Sequence, residues 1–172
     1  MKKVLLMMAL AAMTFSAQVQ AWSSFNDPEI SMAVAAIEGK RVDKEVMMVM
    51  FFPADECLPS LFIGAEGDFT ESEVKDFNDA EHVVKARVDK GKQFTLDAFL
   101  ETSEKEGIFL MELPAENQLI DAMKTGNRLR LKLPNGTITK VDLAGSAAAI
   151  NKAYSNCQVI QKQHDDDAAY FD

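Results

Sequence analysis

For chemistry this chain offers two histidines, two cysteines and an excess of carboxylates. A serine or cysteine nucleophile needs a base held beside it, and the side chains that serve near neutral pH are His82 and His164. His82 falls on the apolar side of an alternating segment with Val84, and His164 lies in a polar C-terminal stretch, so neither has a readable catalytic companion. No serine stands in a glycine-flanked elbow. The run His164-Asp165-Asp166-Asp167 carries hard oxygen ligands but lacks the glycine and spacing of a calcium loop. Met47, Met48 and Met50 sit inside an apolar run, where thioethers fill core more often than they bind copper. Gly64 and Gly67 do not form a phosphate-cradling series. With 27 acidic residues, paired carboxylates are available in type, but glycoside chemistry is defined by their separation in space. The expectation is a protein that is not an enzyme and takes no cofactor or metal.

The compartment is legible at the N-terminus. Lys2 and Lys3 precede an apolar run from Val4 to Phe15, and Val19-Gln20-Ala21 places small residues at the −3 and −1 positions of a signal-peptidase site. Cleavage after Ala21 would leave 151 of the 172 residues and shift the formal charge from −9 to −11. Such a balance repels phosphate backbones and anionic lipid and favours cationic partners. No later apolar stretch is long enough for a membrane-spanning helix. Periplasmic or secreted localisation is therefore expected. There, the isolated pair Cys57 and Cys157 has a single intramolecular pairing, a structural disulfide. The loop it closes would be worth up to about 4.7 kcal/mol in the chain-entropy picture.

Two charged segments are candidates for binding. Glu66, Asp68, Glu71, Glu73, Asp76 and Asp79 concentrate negative charge around Phe69 and Phe77, a pattern suited to a cationic protein surface with an aromatic anchor. The alternative is a solvated helix whose phenylalanines face the core. Arg128, Arg130 and Lys132 form a basic stripe on one face of a strand, either a solvated face or a site.

The elements that must position these residues are mostly strands. Ile30, Met32 and Val34 alternate with small residues, and Val46 to Phe52 is a continuous apolar run suited to burial on both faces. Thr70 and Glu73 have capping-box spacing at the start of a short helix or loop within Asp68 to Glu81. Val84, Ala86 and Val88 alternate with Lys85 and Arg87 before a turn at Lys90-Gly91-Lys92. Phe94 to Glu101 continues the alternation, and Ile108 to Leu113 is apolar. A helix over Ala115 to Lys124 is expected to close at a left-handed Gly126. Pro134-Asn135-Gly136 predicts a hairpin in which Leu133 pairs with Thr137, Leu131 with Thr139 and Leu129 with Val141. Ser146 is a candidate N-cap for an alanine-rich helix that puts Cys157 on its buried stripe, and Gln158 to Asp172 reads as a flexible acidic tail.

The stretch from Val84 to Cys157, with Arg87-Val88-Asp89, Leu119-Ile120 through Met123 to Gly126, Leu129-Arg130-Leu131 and DLAGSAAAINKAYSNC at 142 to 157, resembles the invasion-associated locus B family and small periplasmic type VI secretion-associated proteins. The resemblance implies an exported, disulfide-bonded β-rich domain that supports an envelope or host-interaction process. The expected organisation is a signal peptide at 1–21, one β-sandwich or partly open barrel with two short helices at 22–157, and the tail at 158–172. The expected function is protein binding, as an inhibitor or immunity-type protein of a basic envelope-acting partner or as a host-interaction or secretion accessory factor. No nucleic-acid partner is expected.

Overall fold

The computed structural model describes residues 22–26, 30–36, 45–66, 70–103 and 108–169. The expected signal peptide lies outside them, as do Asp68 and Phe69. Among the described residues ten strands form two antiparallel sheets. The six-stranded sheet has the order β1 (Ser23–Asn26), β2 (Ser31–Ala36), β3 (Glu45–Phe51), β4 (Pro59–Glu66), β8 (Ile108–Pro114) and β7 (Phe99–Ser103). The four-stranded sheet has the order β10 (Ile138–Asp142), β9 (Arg128–Lys132), β5 (Val83–Val88) and β6 (Gln93–Asp97). The α-helices among the described residues are α1 (Glu71–Asp79), α2 (Asn117–Thr125) and α3 (Ser146–Ala169). The mainly β fold expected from the strand patterns is what forms.

The core lies between the sheets. Met47 and Val49 from β3, Leu61 from β4, Val84 and Ala86 from β5, and Leu129 and Leu131 from β9 belong to one buried cluster with Ile150 and Ala153 of α3. The apolar run of β3 is buried on both faces because its alternate residues serve two clusters. Val46, Met48 and Met50 join Ile30, Met32 and Phe62 on the outer face of the six-stranded sheet. Met47 thus points to one side of the strand, and Met48 and Met50 to the other, beside Met32. Trp22 is buried, and its indole Nε1 donates to the Asp142 carbonyl at 2.8 Å, which fastens the first described residue to the end of β10.

Four local expectations change. Phe94 to Glu101 is not one strand: the chain passes from the four-stranded to the six-stranded sheet at Ala98, whose N–H donates to the His82 carbonyl at 2.9 Å. Side-chain alternation runs unbroken through this crossing because both sheets face the same core. Gly126 ends α2 with φ −88° and ψ 179°, an extended conformation open to any residue. What it requires is space, since a Cβ there would lie 2.1 Å from Val88 Cγ1. Ser146 is the first residue of α3 and is buried, its hydroxyl donating to the Met123 carbonyl at 2.7 Å, so it fastens α3 to α2 in place of capping. Finally, α3 continues to Ala169 and takes up most of the expected tail. Gln158 to Ala169 contains neither glycine nor proline, and its three glutamines, one lysine and two alanines favour helix.

The disulfide forms between Cys57 and Cys157, with Cα atoms 5.9 Å apart and 100 positions between them in sequence. Cys57 follows Glu56 in the connection between β3 and β4, and both have positive φ, 57° and 55°. This backbone turn presents the sulfur to the buried side of α3, where Cys157 is fully enclosed.

Candidate functional site

The pairing of β5 with β9 brings two separate basic stripes together. Inward positions Val84, Ala86, Val88, Leu129, Leu131 and Val141 are buried, so strand geometry sends the residues between them to the outer face. Lys85 stands opposite Lys132 and Arg87 opposite Arg130 across the β5–β9 pair. On its other side, Arg130 stands opposite Lys140 of β10. Lys85, Arg87, Lys132 and Lys140 are exposed and Arg130 is half-buried. Among the described residues none of these five makes an ion pair within 4.0 Å. Like charges directly opposite on neighbouring strands destabilise a sheet, by a few tenths of a kcal/mol to about 1 kcal/mol per pair. Three such pairs therefore oppose folding.

One end of this face sinks into a depression of about 360 Å³ lined by Asp89, Gly126, Asn127, Arg128, Arg130, Asp142 and Ala144. Its two carboxylates are engaged in turns. Asp89, at φ 48°, accepts from the N–H of Asn127 at 2.9 Å and of Arg128 at 3.1 Å. The Asn127 N–H, followed by that of Arg128, the Asn127 amide and the charge of Arg130, holds the Asp89 carboxyl below its ordinary range against partial desolvation. Asp142 accepts from the Ala144 N–H at 2.7 Å. Both acids thus brace the loops around the depression.

The acidic segment is organised differently. Thr70 caps α1 and Glu73 closes the capping box, accepting from the Thr70 N–H and hydroxyl, both at 2.8 Å. These hydrogen bonds, the backbone one first, lower the Glu73 pKa. Glu71, Asp76 and Asp79 are exposed along the helix. Phe77 is half-buried, packs with Val74 against the main core and stacks on His82 with ring centroids 3.8 Å apart. It is therefore a packing residue. Asn78 locks α1 to β7 by donating to the Leu100 carbonyl at 3.0 Å and accepting from its N–H at 2.8 Å. Of the expected cluster, Glu71, Glu73 and Asp76 share one helix, Glu66 ends β4 opposite Ile108, and Asp68 and Phe69 lie outside the described residues. His164, Asp165 and Asp166 are exposed on α3.

The sequence stripe Arg128, Arg130 and Lys132 was one part of the basic face; Lys85, Arg87 and Lys140 are the parts it missed. Their signal was present as alternation with Val84, Ala86, Val88 and Val141, but nothing local says that β5 lies beside β9.

No family model matches the chain, and no curated protein matches it. Among solved structures it is similar to invasion associated protein b from Bartonella henselae, at 17% identity over 79% of this chain and 93% of that one, with a TM-score of 0.49. It is also similar to a protein of unknown function from Burkholderia pseudomallei K96243, at 14% identity over 56% of this chain and 55% of that one, with a TM-score of 0.32. The first likeness extends well beyond the Val84 to Cys157 stretch, and neither bears on the type VI secretion-associated proteins.

Proposed function

We propose that this is an exported binding protein that acts through its folded surface and not by catalysis, with the outer face of the four-stranded sheet as its working surface and an anionic macromolecule as its partner. The observation that carries this reading is the alignment of Lys85, Arg87, Arg130, Lys132 and Lys140 in opposed like-charge pairs, none of them ion-paired within 4.0 Å among the described residues. Export is supported by the signal-peptide pattern and by the Cys57–Cys157 disulfide, a bond that persists in oxidising compartments. A host-interaction or secretion accessory role is what the family resemblance would add.

A second reading keeps the inhibitor or immunity role against a basic envelope-acting partner and uses α1. It is favoured by Glu71, Asp76 and Asp79, exposed on a helix fastened by the capping box and by Asn78. Two charge-neutral variants separate the readings, with a soluble polyanion and a soluble polycation as probes. Under the first, R87Q/R130Q/K132Q weakens polyanion binding by tenfold to a hundredfold, on the order of 1 kcal/mol per cation, and flattens its salt dependence. Glu71→Gln with Glu73→Gln and Asp76→Asn leaves it unchanged; glutamine at 73 also preserves the capping box. Polyanion binding that ignores the cation variant, together with polycation binding that requires the α1 carboxylates, transfers the function to the acidic helix.

A further inference from the structure

We infer that the anionic partner is the headgroup surface of an anionic phospholipid bilayer, an inference that rests on the binding reading above and names the chemistry of its partner. The face is the outward side of a four-stranded sheet, and strands fixed about 4.8 Å apart hold the cations of β10, β9 and β5 in adjacent rows. Such a surface meets many anionic groups at once. Two aliphatic side chains stand among the cations. Ile138 is 57% exposed opposite Lys132, and Val83 is 43% exposed two positions before Lys85 on the same side of β5.

A soluble polyanion would gain little from these side chains. An interface of charged headgroups over acyl chains takes both kinds at once, cations at the phosphates and aliphatic tips just below them. The acids near this face are Asp97 at the corner opposite Val83, and Asp89 and Asp142, which are tied to backbone N–H groups. The net charge, −11 for the chain cleaved after Ala21, does not oppose docking in proportion to its size, because charges more than about 8 Å from the contact are screened at physiological ionic strength.

The test is co-sedimentation of the protein, in the form that expressing cells export, with vesicles of equimolar phosphatidylglycerol and phosphatidylcholine or of phosphatidylcholine alone. Retention on immobilised dextran sulfate serves as the soluble-polyanion arm. The expected result is binding to the anionic vesicles only, lost in R87Q/R130Q/K132Q. Ile138→Asn is expected to weaken vesicle binding about fivefold, as removal of an inserted aliphatic group should, and to leave dextran sulfate retention unchanged. Dextran sulfate retention without vesicle binding overturns the bilayer inference and leaves the binding reading standing; absence of both overturns the two together. Vesicle binding that does not respond to Ile138→Asn also overturns the inference.

Discussion

Single side chains in this fold are set by space and by charge in ways that separate experimentally. Gly126 is required by the closeness of Val88, so Gly126→Ala is expected to cost about 1–3 kcal/mol of stability, as overpacking does, measured by urea unfolding. If a left-handed backbone were the reason for the glycine, asparagine would rescue; at φ −88° it is not expected to. Two carboxylates carry opposite pH signatures. Asp89 has a folded pKa below its ordinary 3.8, so its contribution is complete above that value and is lost as pH falls through the folded one. Asp89→Asn should therefore be less stable than wild type at pH 7, with the gap closing in strong acid. Glu101 has a pKa raised above 4.5, first by partial burial and then by Glu112. Its ionised form is penalised in the fold, so Glu101→Gln should be more stable than wild type at pH 7, with the difference vanishing below pH 4.5. Reversed signs in unfolding titrations would show that these surroundings are misassigned.

At the scale of elements, legibility follows from whether local signals agree. The β9–β10 hairpin forms in the expected register, Leu131 with Thr139 and Leu129 with Val141, and Leu133 N–H donates to the Thr137 carbonyl at 2.8 Å. There, turn chemistry with Gly136 at φ 84° and the alternation of leucines point to one answer. The crossing at Ala98 was illegible because alternation does not reveal which sheet a strand joins. The length of α3 was hidden by its acidic end, which reads as solvated chain although it lacks any breaker. Part of that helix is held from a distance, since the disulfide joins Cys157 to the connection before β4. Cys157→Ser is expected to lower the thermal midpoint, with the approximately 4.7 kcal/mol of the chain-entropy estimate as the upper bound. Amide exchange should show the C-terminal part of α3 opening ahead of the sheets; exchange as slow as in the intact protein would mean that packing alone holds the helix.

For the molecule as a whole, the decisive property is the distribution of charge and not its sum. The excess of acid predicts avoidance of anionic partners, yet two antiparallel pairings gather cations up to 55 positions apart in sequence, from Lys85 to Lys140, onto one face. Each stripe was visible by itself; their adjacency is a product of topology. A face retained against its own electrostatic repulsion should show a trade between stability and binding. The most direct test is therefore to measure the thermal midpoint and the polyanion affinity of R87Q/R130Q/K132Q on the same preparation. The expected result is a midpoint equal to or above wild type, because opposed like charges are removed, together with a loss of affinity of tenfold or more. A lowered midpoint with unchanged affinity would contradict it, by showing that these cations serve the fold and not a partner.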